Sequence, residues 1–320
     1  MPVTSAAHAM PSTSTTPITE QRYIGRFAPT PSGPLHFGSL VAALASYLDA
    51  KAHDGLWLLR IEDIDPPREQ AGASAQILQT LEDFDLHWDG EVFYQSQQNE
   101  RYQACVDQLL QQELAYYCQC SRKQLRDHPI YPNWCRINAP KLTSDCAVRI
   151  QTQGTFSIED RIQGTCSWQM DELGDFIIQR RDKLFAYQLA VVLDDAEQGI
   201  NQVVRGYDIL ESTPRQLQLI DYLQLPKPKY AHIPVITNHT GQKLSKQNLA
   251  PGITPEDRRQ LLFRALQALG LISAIEIEKN ILTAIYAELL QWAVQQWQIS
   301  RVPGCAEIPE AELHTTAGSL

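Results

Sequence analysis

Residues 22 to 61 constrain the fold more than any other stretch of the chain. Arg22 to Ala28 (RYIGRFA) mixes aromatic and β-branched residues and reads as a strand. A loop of backbone breakers follows, Pro29-Thr30-Pro31-Ser32-Gly33-Pro34. Ser39 can then cap an apolar, Ala-rich helix over 39–52. Asp54-Gly55 turns the chain into Leu56 to Ile61 (LWLLRI), a nearly continuous apolar run. A strand that is apolar on both faces belongs inside a parallel sheet. Strand, loop, helix and buried strand together form the unit of a doubly wound α/β fold.

The rest of the chain reads less evenly. Residues 72–86 and 98–117 carry amphipathic helical patterns. From 118 to 170 the composition shifts to Cys, Pro, Thr and Gln, with short alternating segments at Ala147–Ile150 and Thr155–Ile158, as in an inserted β-containing module. Strand and helix signals resume at Phe176 (FIIQR) and at Phe185 to Leu193, and Tyr230 to Thr237 reads as one later strand. Residues 254–270 and 274–297 are helical, with Thr254 as cap and Pro255 in the first turn. The expected organisation is a leader over 1–20, two halves of a catalytic domain at 21–117 and 176–250, an inserted α+β module at 118–175, a helical segment at 251–301 and a tail at 302–320.

With 27 Lys+Arg against 37 Asp+Glu, the 320-residue chain carries a formal charge of −10. That balance argues against a protein that coats nucleic acid generally, which needs basic charge to displace counterions. The charge is uneven: residues 61–91 are net −8, whereas 121–149 and 226–246 are each net +4. No run approaches the ~20 apolar residues of a membrane helix. The first 20 residues are rich in Ser, Thr and Pro, a disordered composition without the charged and apolar regions of a signal peptide. Seven cysteines without an export signal fit the cytoplasm, as thiols or metal ligands.

The first loop already suggests phosphate chemistry. A helix that starts just after a Gly/Pro loop presents free N–H groups and the positive end of its dipole. Gly33 and Gly38 let the backbone approach a ligand, and His36 can donate to a phosphate oxygen. The pattern matches neither the P-loop nor the dinucleotide fingerprint.

Residues 36–39 are His-Phe-Gly-Ser and residues 243–247 are Lys-Leu-Ser-Lys-Gln. Their order and separation resemble the HIGH and KMSKS signatures of class I aminoacyl-tRNA synthetases. The stretches RFAPTPSGPLHFGS, LLRIEDIDPPR, VVRGYDILESTPRQ and GQKLSKQNLAPG resemble the glutamyl/glutaminyl branch. The likeness covers residues 22 to 300, and the early C-terminus resembles truncated members that lack the anticodon-reading region.

The resemblance implies a Rossmann-type catalytic domain and a two-step reaction. Glutamate is first activated by ATP with Mg²⁺, and the glutamyl group is then esterified to an RNA hydroxyl. In the truncated members that hydroxyl lies on the cyclopentenediol of queuosine, in the anticodon stem-loop of tRNA(Asp). His36, Lys243 and Lys246 would act on the phosphates, with Gly38 and Ser39 also at the ATP. Arg26, Phe27, Ala28, Pro29, Thr30, Glu62, Tyr187 and Arg205 would line the glutamate pocket. Arg205 suits the side-chain carboxylate, and Glu62 suits the α-ammonium. Val191 stands where discriminating glutamyl-tRNA synthetases often carry Asn, which points to a weaker pocket. The partners expected are ATP, L-glutamate and that RNA, with no membrane, for a monomer in the cytoplasm. Two rival readings are a truncated synthetase that charges a tRNA 3′ end and an inactive zinc-stabilised RNA-binding paralogue.

Cys118-x-Cys120 and Cys135 bring three thiolates within reach of one ion. The family pattern implies a structural Zn²⁺, one per chain, with Tyr131 as the fourth ligand. His128 is the rival fourth ligand, and Cys105 fits an apolar helical stripe.

Overall fold

The computed structural model describes residues 21–141, 145–238, 241–244, 252–272 and 286–313. Strand β1 (Ile24–Phe27) leads through the 28–36 loop into helix α1 (Phe37–Ala52). Strand β2 (Leu56–Ile61) returns parallel to β1, with Ile24 opposite Leu56 and Phe27 opposite Leu59. The cap of α1 differs from expectation. His36, extended at φ −110° and ψ 172°, accepts the Ser39 N–H on Nδ1 at 3.2 Å. Ser39 therefore lies inside the first turn.

Helix α2 (Ala73–Asp83) carries the chain to β3 (Phe93–Tyr94), parallel to β2. Helix α3 (Asn99–Gln111) stops short of the expected residue 117. Glu113 adopts a left-handed turn (φ 58°), and Ala115–Cys118 becomes strand β4. Its Tyr-Tyr-Cys run pairs with a neighbouring strand, a tertiary partner that a helical period does not reveal.

That neighbour belongs to the Cys/Pro-rich stretch, which supplies helix α4 (Trp134–Ile137), strand β5 (Ala147–Ile150), the hairpin of β6 (Thr155–Asp160) and β7 (Gly164–Gln169), helix α5 (Met170–Leu173) and strand β8 (Phe176–Gln179). Strand β5 pairs antiparallel with β4 on one side and β8 on the other. The sheet thus joins residues on both sides of 117/118 and of 175/176. The β6–β7 turn is fastened to the rest of the chain: the Arg161 N–H donates to the Tyr230 carbonyl at 2.9 Å, and Gln163 Nε2 to the His232 carbonyl at 2.8 Å.

Helix α6 (Tyr187–Glu197), strand β9 (Gln202–Gly206), helix α7 (Thr213–Leu223) and strand β10 (Lys229–Ile233) follow, with β9 and β10 parallel. Asn201 stitches β9 to β1: its N–H donates to the Ile24 carbonyl at 3.1 Å, and its Oδ1 accepts from the Ile24 N–H at 2.9 Å. The β1-β2-β3 sheet and the β9-β10 pair therefore lie side by side, with β9 next to β1. Helices α8 (Arg258–Ala268) and α9 (Tyr286–Gln296) complete the described helices.

Two apolar cores flank these strands, because successive strand residues point to opposite faces. Val204 and Ala231 join Leu44 and Leu48 of α1, Leu262 and Leu266 of α8 and Leu290 of α9. Val203 and Tyr230 join Val106 of α3, Leu189 of α6 and Leu217 of α7.

Three terminal features depart from the sequence reading. The strand expected over 230–237 breaks at Pro234, which has no N–H to donate, so Val235–Thr237 forms a separate strand, β11. Thr254 does not cap a backbone N–H; its hydroxyl donates to Asp257 Oδ2 at 3.1 Å. Residues 302–313, read as a tail, are packed: Val302 and Leu313 are buried, and β12 (Glu307–Pro309) pairs in parallel with β11. Of the helix expected over 274–297, residues up to 285 lie outside the described ones, as does the leader. Among the described residues, no helix is long and apolar enough to cross a membrane.

Candidate active site

Leu244, the second residue of the KLSKQ segment, reaches the HFGS segment at the start of α1. His36 Nε2 lies 3.0 Å from Ser39 Oγ, and since Nδ1 accepts a backbone N–H, the neutral ring carries its proton on Nε2. A Cβ on Gly38 would lie 3.3 Å from the His36 ring and 3.5 Å from the Leu244 carbonyl, so glycine permits the contact. The two ends of the 244–252 stretch both reach this corner, since Gly252 forms a bridge with His36 and the Ile253 N–H donates to the Leu35 carbonyl. Lys246 lies outside the described residues. The Lys243 ammonium is paired with Asp208, just beyond β9.

A buried ionic cluster forms beside the C-terminal ends of β1 and β2. Arg26 Nε donates to Asp195 Oδ1 at 3.1 Å, and Arg60 Nη1 reaches the same oxygen at 2.8 Å. Arg60 Nη2 sits 3.5 Å from Glu62 Oε1. The Glu62 N–H donates to the Pro29 carbonyl at 3.0 Å, which ties the backbone of this residue to the 28–36 loop. Burial pushes the Glu62 carboxyl up to about 7, although Arg60 and Arg26 pull it down. Asp195 is also buried, yet Arg26 and Arg60 hold it below its ordinary value. Its neighbour Asp194 is raised, chiefly by burial, and accepts from Gln95 Nε2 at 2.6 Å and from the Tyr102 hydroxyl at 2.9 Å. Phe27, just ahead of Ala28, Pro29 and Thr30, stacks on Trp57 at 6.3 Å between ring centroids within the apolar core.

Tyr187 opens α6 and senses both ends of this cluster. Burial raises its phenol, Arg205 lowers it and Glu62 raises it. Arg205, on β9, is buried. Its Nε donates to His232 Nε2 at 3.0 Å, Nη1 to Gln216 Oε1 at 2.8 Å and Nη2 to Thr213 Oγ1 at 2.8 Å. A guanidinium has five N–H donors. Two therefore remain, one on each terminal nitrogen, without a partner among the described residues. All three partners are neutral groups, and among the described residues no carboxylate pairs with the buried charge. Such a charge is costly unless an anion completes the site. Val191 packs in the apolar core and offers the pocket no polar atom.

The third cluster is the thiol group. Cys118 ends β4, Cys120 follows two residues on, and Cys135 sits on α4. Their sulfurs all lie within 4.8 Å of one another, close enough that they could hold one metal ion. Tyr131 Oη lies 3.4 Å from Cys118 Sγ and 3.6 Å from Cys120 Sγ, and Cys120 Sγ is 3.5 Å from Cys135 Sγ. His128 packs edge-on against Trp134 at 4.9 Å and takes no part in the cluster. Cys105 packs in the core, as its helical position suggested.

Several polar residues at the pocket were not singled out from sequence. Arg60 is a lone cation in an apolar strand, Asp194 and Asp195 interrupt the apolar VVLDDAE run, and His232 interrupts YAHIPVIT. A charged or imidazole group inside a buried run was the available signal, since such groups are rarely buried unless paired.

The family described as tRNA synthetases class I (E and Q), catalytic domain, matches residues 24–131 and 139–286. A glutamyl-Q tRNA(Asp) synthetase of Pseudomonas putida is 52% identical over 299 residues, covering 92% of this chain and 98% of the relative. One of Pseudomonas aeruginosa is 51% identical over 294 residues, covering 91% and 99%. Among solved structures, a glutamate tRNA ligase of Elizabethkingia meningosepticum in complex with its amino acid superposes with a TM-score of 0.75 at 23% identity, over 90% of this chain and 67% of that one. At that identity the likeness shows the fold.

Proposed function

The chain belongs to the class I tRNA synthetases of the E and Q type, and on that premise we propose that it activates L-glutamate with ATP, without tRNA, and transfers the glutamyl group to queuosine of tRNA(Asp). The observation that carries the amino-acid assignment is Arg205, a buried cation with neutral partners and two remaining N–H donors. A carboxylate satisfies both donors and the charge. The amide oxygen of glutamine can accept from these donors but leaves the buried charge uncompensated. The queuosine assignment rests on the relatives that share about half of their residues with this chain and are named glutamyl-Q tRNA(Asp) synthetase.

In this reading Arg205 and Tyr187 hold the glutamate side chain, and Glu62 accepts from the α-ammonium. Arg26 and the stretch Phe27, Ala28, Pro29 and Thr30 position the α-carboxylate. An oxygen of that carboxylate attacks the α-phosphorus of ATP, and pyrophosphate leaves. His36, Gly38 and Ser39 at the helix start, with Lys246 and Lys243, stabilise charge on the phosphates, and Mg²⁺ enters with the ATP. A hydroxyl of the queuosine cyclopentenediol then attacks the glutamyl carbonyl carbon and AMP leaves. Residues 118–175 act as the inserted module and 251–301 as the stem-contacting segment of a cytoplasmic monomer.

Cys118, Cys120, Cys135 and Tyr131 would hold a structural Zn²⁺. Tetrahedral zinc with sulfurs at about 2.3 Å needs ligand edges of roughly 3.8 Å; three of the donor pairs lie 3.4 to 3.6 Å apart, and all three sulfurs lie within 4.8 Å of one another. The ion would cross-link β4 to α4.

ATP–pyrophosphate exchange driven by glutamate, with no tRNA present, tests the first step; no exchange removes the enzyme reading. Labelled glutamate offered to tRNA(Asp) with and without queuosine tests the second. An alkali-labile label that requires queuosine is expected. Equal labelling of both tRNAs would instead indicate charging of a 3′ end.

A further inference from the structure

Arg205 does not set its own orientation. On the neighbouring strand His232 is its register partner, and the imidazole Nε2 accepts from Arg205 Nε at 3.0 Å. Arginine keeps its protons, so Nε2 must offer a lone pair, and the ring proton must sit on Nδ1. Nδ1 then donates to Asp160 Oδ2 at 2.6 Å. Both side chains are wholly buried. The other Asp160 oxygen accepts the backbone N–H groups of Ile162 at 3.0 Å, Gln163 at 2.9 Å and His232 at 3.2 Å. Asp160 is the last residue of β6, so the chain of hydrogen bonds begins in the inserted module and ends at the carboxylate clamp.

We propose that Asp160 and His232 form a positioning relay that fixes Arg205 as a carboxylate receptor, and that glutamate selectivity depends on it. The inference rests on the reading that Arg205 binds the substrate side chain. The logic is electrostatic. A carboxylate placed directly on Arg205 would fix the guanidinium, but it would also neutralise it and compete for its donors. Arg26 and Arg60 are held that way, both by Asp195. A neutral imidazole spacer instead takes only Nε–H. It keeps the charge of Asp160 a ring's width away and leaves one donor on each terminal nitrogen for the substrate. Burial pushes the His232 imidazole below its usual range. The hydrogen bond to Asp160 opposes that push and the charge of Arg205 adds to it, so the ring stays neutral. Neither residue touches the substrate in this arrangement; both act through Arg205.

The sharpest test is Asp160→Asn. Three backbone N–H groups claim the side-chain oxygen at this position, so the new amide nitrogen faces His232 Nδ1. The ring must then carry its proton on Nε2, pointing at the Arg205 N–H. We expect the KM for glutamate in pyrophosphate exchange to rise at least about tenfold, with the KM for ATP unchanged and discrimination against glutamine reduced. His232→Leu should act alike. His232→Gln, whose amide can accept from Arg205 and donate towards Asp160, should restore most of the affinity. A glutamate KM within twofold of the unaltered chain for a folded Asp160→Asn overturns the relay alone. If that variant does not fold, equal glutamate KM values for His232→Gln and His232→Leu overturn it. Absence of glutamate-driven exchange in the unaltered chain overturns the reading of the pocket, and the relay with it.

Discussion

Asp49, buried in α1, binds both terminal nitrogens of Arg161 in the β6–β7 turn, at 2.5 and 3.0 Å. The same carboxylate accepts from the Tyr23 hydroxyl ahead of β1 and from Trp297 Nε1 just past α9, at 2.9 Å for the latter. Four separate stretches of chain therefore share one buried anion. With Asp160 one residue before Arg161, the β6–β7 turn delivers two adjacent side chains, one to the clamp and one to the scaffold.

Removing one partner of a buried ion pair strands the other. Asp49→Ala leaves Arg161, Tyr23 and Trp297 without their acceptor, so a loss of about 3 kcal/mol of stability is expected. Equilibrium urea unfolding measures it. A change below about 1 kcal/mol, the range of an exposed pair, would show that the carboxylate does not hold these stretches together.

Glutamate affinity should depend on pH through Glu62. Only the ionised carboxyl accepts from an ammonium while offering it a counter-charge, and burial pushes this carboxyl up to about 7. Neither the ammonium nor the carboxylates of free glutamate titrate between pH 6 and 8. The Kd should therefore be flat above pH 7 and rise towards about tenfold per unit below it. Stability moves in the opposite sense for this group: the folded value lies above the ordinary carboxylate value, so the fold binds the proton more tightly and Glu62 alone favours folding as pH falls below 7. Calorimetric titration at pH 6 and 8 decides; equal Kd values would remove Glu62 from the ammonium site.

The thiol cluster predicts its own metal analysis. The purified chain should carry about one zinc, and Cys118→Ser or Cys135→Ser should lose most of it. Retention of a full equivalent by either variant would exclude that ligand. His128→Ala should retain the metal, because the imidazole packs on Trp134. Chelation should loosen the junction of β4 with α4 and lower the melting temperature, since binding energy at such a site is folding energy.

Much of the catalytic half is legible in the sequence because its signals are local. LWLLRI is apolar on both faces and does lie within a parallel sheet, and the breaker-rich loop does run from a strand into a helix. Local signals fail where a distant partner decides. Tyr116 and Tyr117 read as the end of a helix until β5 supplies a ladder for them. Glu307–Pro309 reads as tail until β11 pairs with it. The cap of α1 was misplaced by preference: Ser is a common cap and His is not, yet His36 holds the position. The pocket divides the same way. Residues inside signature segments, such as Arg26 and Arg205, stand out, whereas Asp160 and His232 are 72 residues apart and only the folded chain joins them.

Gly38 should matter more to activity than to stability. It lies in the first turn of α1, where alanine is the better helix former by about 0.5–1 kcal/mol. A Cβ there would nevertheless meet the His36 ring at 3.3 Å and the Leu244 carbonyl at 3.5 Å. The first distance is tighter than an ordinary contact, so the ring has to give way, and it is the ring whose Nδ1 caps the helix and whose Nε2 faces Ser39. The Leu244 carbonyl lies close to the same added methyl. The helix-propensity gain and the strained cap should therefore roughly cancel in the melting temperature of Gly38→Ala, while glutamate-driven exchange falls at least about tenfold, roughly 1.4 kcal/mol of barrier. An unchanged exchange rate in a folded variant would mean that the fit between His36 and the KLSKQ segment does not limit the chemistry. A lower rate accompanied by a lower melting temperature would trace the loss to the helix start instead.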